Sequence, residues 1–280
     1  MFHTERLVAA SLLLLAACAS SPPAATVVPS PVPAPPPTLA SSVPAPPPPL
    51  PAPVGKMAHV PEGTFRMGSE TGELDEKPAH PTHVMPFDLD LTEVTVAQYS
   101  ACVRSGACRA AGTVVSWPGI TPGEQALFAE ECNDDRPERQ DHAVNCVDWS
   151  MADAFCRWAG KRLPTEEEWE YAACGGDCDE SARHGGDARS VTRGAARWPG
   201  TGRVARGQPE AFGLYDMAGN VWEWTASAYC PYDHPGCGDP RRVVRGGSWS
   251  MVDHLFVRLT DRSPSDPATR NSNIGFRCAK

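Results

Sequence analysis

Residues 19–54 carry no charged side chain, and 15 of the chain's 30 prolines lie between positions 22 and 53. Proline removes a backbone donor and locks φ near about −65°, so runs such as Pro35-Pro36-Pro37 belong neither in a helix interior nor in a central strand. The interspersed Ala, Ser, Thr and Val supply too little apolar bulk for a core. The composition favours polyproline II at about 3.1 Å per residue, so residues 18–54 are expected to form a disordered stalk reaching up to about 110 Å. The same composition also suits a ligand for proline-binding modules, which are scarce outside the cytosol. Folding is thereby confined to residues 55–280.

Ahead of the stalk, residues 1–17 place Arg6 before an apolar run at residues 7–17. That run falls short of the roughly 20 residues that span a bilayer, and it reads as a cleaved export signal. Leu15-Ala16-Ala17-Cys18 resembles a bacterial lipoprotein box. The resemblance implies cleavage before Cys18, lipidation of its sulfur and attachment to a membrane through that anchor. Since Ala19 is not Asp, it implies the outer membrane of the cell envelope, facing periplasm or exterior. A formal charge of −9 leaves no broad basic face for phosphates, so nucleic acid is not an expected partner.

Beyond Cys18 the chain has ten cysteines: Cys102, Cys108, Cys132, Cys146, Cys156, Cys174, Cys178, Cys230, Cys237 and Cys278. An even count in an exported domain suggests five disulfides. The spacings of Cys102/Cys108, Cys174/Cys178 and Cys230/Cys237 suit local loops, although spacing alone leaves the connectivity open. A four-thiolate zinc site from Cys174, Cys178, Cys230 and Cys237 is the rival arrangement, but the spacings make poor ligand knuckles.

Regular structure is sparse. Thr95-Val-Ala-Gln98 is a capping box followed by Tyr99, Cys102 and Val103 at helical spacing, with Gly106 as a stop. A second helix is expected to open at Ser150, with Met151, Ala154, Phe155 and Trp158 on one face and Gly160 closing it. A third begins at Thr165 with Glu168 in the box position. Short strands are expected at residues 64–67, 87–91, 243–245, 256–259 and 274–278. The mixture is α+β with long irregular connections that require staples or metal.

Six blocks then carry a resemblance: Val60-Pro-Glu-Gly-Thr-Phe-Arg-Met-Gly68; Glu93-Val-Thr-Val-Ala-Gln-Tyr99; Val147-Asp-Trp149 with Ala159-Gly-Lys-Arg-Leu-Pro-Thr-Glu-Glu-Glu-Trp-Glu-Tyr171; Phe212-Gly-Leu-Tyr-Asp-Met-Ala-Gly-Asn-Val-Trp-Glu-Trp224; Arg245-Gly-Gly-Ser-Trp249; and Gly275-Phe-Arg-Cys278. In this order the chain resembles the formylglycine-generating enzyme, or sulfatase-modifying factor, family. The resemblance implies a disulfide-stapled variant of the C-type-lectin-like fold with little regular secondary structure. It also implies a structural calcium ion held by the side chains of Asp216 and Glu223 and the backbone oxygens of Gly219 and Val221. Two carboxylates about a Gly-containing turn suit a hard cation that takes six to eight oxygens; the competing arrangement pairs Glu223 with an arginine. A second calcium site of the family finds no match between residues 185 and 208. The resemblance further implies a disulfide between Cys156 and Cys278.

Catalytic members place two cysteines five residues apart shortly after Gly-Gly-Ser, where they bind copper(I) and activate oxygen. Those positions here are Met251 and Phe256, and residues 250–263 contain no cysteine. Phe256 offers no ligand and neither residue forms a thiolate, so copper is not expected and no catalytic residue is assigned. His80 and His83 form an HxxH interrupted by Pro81, which prevents a helical ligand pair. Trp222, Trp224 and Trp249 suit either an aromatic wall or the core, and Arg241, Arg242 and Arg245 suit pairing with the acidic excess. Two functions follow: a non-catalytic binding or structural module of the envelope with a protein or peptide partner, or a periplasmic oxidase or tailoring enzyme resembling those of siderophore maturation.

Overall fold

The computed structural model describes residues 55–176, 200–251 and 257–280. The expected signal peptide, Cys18 and the expected stalk, together with Cys178 and Phe256, lie outside the described residues. Four helices are set by their caps. In α1 (Val96–Arg104), Thr95 Oγ1 accepts from the Gln98 amide at 3.2 Å while Gln98 Oε1 accepts from the Thr95 amide at 2.9 Å. This reciprocal box satisfies two amides that otherwise have no partner in the first turn. Thr165 and Glu168 repeat it in α4 (Glu166–Ala173).

The helix expected from Ser150 begins earlier, as α3 (Trp149–Trp158). Asp148 is its cap, accepting the Met151 amide at 3.0 Å, while the Ser150 hydroxyl donates to the same carboxylate at 2.6 Å. A charged acceptor outcompetes a hydroxyl for the exposed amides. The sequence also hides α2 (Pro122–Ala129), which starts at a Thr121/Glu124 capping box with proline in its first turn and buries no residue. Without a buried face it leaves no apolar periodicity to read.

The strands form three small sheets. β1 (Met57–Val60) pairs antiparallel with β4 (Phe87–Asp90), and β2 (Gly63–Met67) pairs antiparallel with β3 (His80–Val84). The largest sheet has the order β7 (Arg262–Ser265), β6 (Arg242–Arg245), β5 (Trp222–Ala228), β8 (Ile274–Gly275), with β8 parallel to β5. The strand expected over residues 256–259 does not form among the described residues. Instead the Arg258 amide donates to Asp261 and the Asp261 amide to the Arg258 carbonyl, closing a turn. Of the strand expected at 274–278 only the first two residues pair as one, because Cys278 turns to donate its amide to Asp90.

Among the described residues two large apolar clusters fill the interior, with a smaller third around Val115, Cys132 and Cys146. One gathers Tyr99, Phe155, Phe276 and Trp224; Tyr99 stacks on Phe155 at 5.7 Å and Phe276 meets Phe155 edge-on at 5.5 Å. The other surrounds Trp169 with Phe65, Leu89 and Met217. Cys102 bonds to Cys108, Cys132 to Cys146, Cys156 to Cys278 and Cys230 to Cys237, and Cys174 is also disulfide-bonded. The Cys230–Cys237 bond removes two of the four thiolates that a zinc site would require. His80 and His83 lie on β3 three residues apart and so face opposite sides, which separates them as ligands.

Candidate functional site

The block at residues 212–224 turns repeatedly before it enters β5. Phe212, Asp216 and Asn220 have φ of 55°, 57° and 54°, and Gly219 has φ 103°. Asp and Asn tolerate the left-handed region better than most side chains, which explains their place in this loop. The Gly219 amide donates to the Gly246 carbonyl at 2.7 Å, tying the loop to the Arg245-Gly-Gly-Ser segment. A Cβ at Gly246 would lie 2.9 Å from the Trp169 ring and 3.0 Å from the Met217 carbonyl, so this close approach requires glycine.

Arg277 reaches the fully buried Glu223 with Nε and a terminal nitrogen, each at 2.7 Å, and Trp169 Nε1 donates to the same carboxylate at 2.8 Å. The further guanidinium donors of Arg277 go to the carbonyls of Asp90 and Tyr215. Glu223 therefore has the arginine partner that competes with the metal-ligand arrangement. Asn220 donates to Glu93 Oε1 at 2.9 Å, and the Ala205 amide donates to Asp216 at 2.6 Å. The other Glu93 oxygen is buried without a partner.

These groups make an acidic corner. Burial pushes the Glu93 carboxyl well above its ordinary range, and the nearby charge of Asp216 adds to the effect. Burial likewise raises Asp216, and it lifts Glu210 to about 7 with help from the Asp216 charge. Arg277 is the buried counter-charge that Glu93, Glu210, Asp216 and Glu223 share, and Arg206 adds to it at Asp216. Among the described residues no three His, Cys, Asp or Glu side chains converge on a common metal position. Any ion here would draw heavily on backbone oxygens such as those of Gly219 and Val221.

Next to this corner lies the segment after Gly247. A Cβ on Gly247 would lie 2.9 Å from Val257 and 3.0 Å from Met251 Sδ, which places the thioether against the glycine. Ser248 Oγ and Ser250 Oγ are 3.0 Å apart, and Asn273 Nδ2 donates to Ser250 at 2.9 Å. Asn273 Oδ1 is buried with no partner. This polar group was not anticipated; its only mark in the sequence is the alternation of Ser248 and Ser250 beyond two glycines, which spacing rules do not flag. Trp224 is fully buried, whereas Trp222 and Trp249 are half-buried. Arg245 is fully buried against Glu170, and Arg241 pairs with Asp239 at the surface.

Residues 44–280 match the sulfatase-modifying factor enzyme 1-like domain. The formylglycine-generating enzyme of Streptomyces coelicolor is 32% identical over 274 residues, covering 79% of this chain and 87% of the relative. The protein of Mus musculus named inactive C-alpha-formylglycine-generating enzyme 2 is also 32% identical, over 267 residues, covering 80% and 85%. Among solved structures, PvdO from Pseudomonas aeruginosa superposes with a TM-score of 0.62 at 27% identity, covering 80% of this chain and 94% of that one. Equal identity to a relative named as the enzyme and to one named inactive leaves activity to the site itself. The chain has the C-type-lectin-like α+β fold of formylglycine-generating enzymes and belongs to the sulfatase-modifying factor family.

Proposed function

We propose that the protein is an envelope lipoprotein, anchored through Cys18, whose sulfatase-modifying-factor-like domain is a non-catalytic binding or structural module. The observation that carries this reading is the state of the sulfur. Met251 and Phe256 stand where the resemblance calls for a thiol pair, and every cysteine among the described residues is disulfide-bonded. A copper(I) site needs soft thiolate donors, and a disulfide supplies none. The test is to express the chain in an oxidising compartment, count free thiols by mass spectrometry without reduction, and incubate it with copper, oxygen and a cysteine-containing sulfatase peptide. No free thiol and no aldehyde product are expected. A reproducible thiol pair, bound copper or peptide aldehyde would overturn the reading.

The alternative, an oxidase or tailoring enzyme, draws on the unpartnered Asn273 Oδ1 beside Ser248 and Ser250, a buried polar group to which a ligand could donate. The likeness to PvdO is compatible with either function, since one fold hosts several.

Calcium belongs to the proposal as a structural ion at the acidic corner, with Asp216, Glu223, Gly219 and Val221 as its ligands. The charge imbalance there and the unpartnered Glu93 oxygen support it. Because Glu223 also holds Arg277, substituting Glu223 would destabilise the fold with or without the ion. Asp216→Asn is the cleaner probe. Added calcium should raise the melting temperature of the wild type, and Asp216→Asn should lose most of that rise. An unchanged calcium response in the variant would remove the assignment.

A further inference from the structure

A cavity of about 480 Å³ opens at the start of α4, beside the loop closed by Cys230–Cys237, and none of the acidic-corner residues lines it. Its apolar wall includes Met67, Ala228, Pro231 and Pro235. Arg262, the one basic group of its lining besides His80, is committed internally. Its Nε and one terminal nitrogen each donate to Glu166 at 2.8 Å, and the other terminal nitrogen donates to the carbonyls of Asp75 and Cys230 at 2.9 and 3.0 Å. The guanidinium also lies over the Tyr232 ring at 4.1 Å. His80 Nδ1 is 2.9 Å from the Pro78 carbonyl, and its ring tilts against Tyr232 at 4.7 Å. Glu167 also lines the cavity, half-buried, and its carboxylate has no partner among the described residues.

Among the described residues Arg262 neutralises Glu166, Arg245 at 3.5 Å from Glu166 is paired with Glu170, and no side chain neutralises Glu167, so the polar lining sums to one uncompensated negative charge. An anion would be repelled, and a purely apolar ligand would strip water from Glu167 without replacing its hydrogen bonds. An ammonium or guanidinium on an aliphatic stem satisfies both surfaces, with the stem along Met67 and the prolines and the charge at Glu167. The disulfide fixes the wall that carries Pro231 and Pro235, which lowers the ordering cost of binding.

We propose that this cavity receives a lysine or arginine side chain from a peptide segment of a partner protein. The site goes beyond the non-catalytic reading and does not depend on it. Acetylated and amidated Gly-Arg-Gly, Gly-Lys-Gly and Gly-Gln-Gly would be titrated into the full-length protein and followed by amide NMR shifts. The Arg and Lys peptides should give saturable shifts around Glu167, Ser227 and Ala228, and the Gln peptide none. Glu167→Gln should weaken binding about tenfold, the loss of one charge-assisted contact. Ala228→Trp, placed at an exposed position, should fill the cavity and abolish binding, with melting temperatures of both variants near wild type. Raising the salt concentration should weaken the Arg and Lys peptides further, a check that needs no variant. Equal binding of the Gln peptide, undiminished binding in Glu167→Gln, shifts that survive Ala228→Trp, or no saturable shift at millimolar peptide would each overturn the proposal.

Discussion

The carboxyl of Asp261 is pushed up to about 6, chiefly by burial, with the charge of Glu76 adding to the effect and Arg258 opposing it. In the unfolded chain it titrates near 3.8, so between those values the folded state holds the proton more tightly. Folding stability from this group is full below 3.8 and is lost as pH rises through about 6, a difference of about 3 kcal/mol. Asp261→Asn should flatten that slope while keeping an acceptor for the Arg258 amide. Urea unfolding of both proteins from pH 4 to pH 7 checks this, and parallel pH profiles would contradict it. Arginine shows the limit of reading at this scale. Arg245 and Arg277 stand out in short motifs, yet both are wholly buried, and their partners Glu170 and Glu223 lie 75 and 54 positions away. A buried pair such as Arg277–Glu223 depends on fixed geometry, since either charge alone in the interior is strongly unfavourable.

At the scale of elements, legibility follows the range of the forces. The boxes at Thr95 and Thr165 are readable because four consecutive residues contain both halves of the interaction. α3 shows how such reading slips by two residues when a carboxylate lies just ahead of a serine. Asp148→Ala should therefore cost about 1–2 kcal/mol, whereas Ser150→Ala should cost less than about half of that. Chemical denaturation of the two variants decides it, and equal losses would return the cap to Ser150. The strand β5 escaped notice because Trp222–Ala228 has neighbours on both sides, β6 antiparallel and β8 parallel, and its burial does not alternate. β8 has only two residues, and its strand character comes entirely from β5.

For the whole molecule, the bond between Cys156 and Cys278 spans a sequence separation of 122, against 6 for Cys102 and Cys108. In the chain-entropy account the long closure stabilises by about 5 kcal/mol and the short one by about 2. Replacing Cys156 and Cys278 together by alanine should lower the melting temperature more than replacing Cys102 and Cys108. Calorimetry of the two double variants tests it, and the reverse order would show that strain or residual unfolded structure dominates. The long bridge joins α3 to the final residues, where Ala279 bridges to both Leu89 and Arg162.

The sequence by itself determined the family through six ordered blocks and three of the four described helices, because each rests on residues close in the chain. Tertiary structure alone decided that Glu223 is held by Arg277, that Glu93 joins Asp216 in one acidic corner, and that Asn273 meets Ser250 beside Met251. It likewise set Arg262 on Glu166, leaving Glu167 as the uncompensated charge of the cavity. These arrangements join residues from 23 to more than 100 positions apart. The energy of a buried charge depends on what surrounds it in space, and neighbours along the chain carry no record of that.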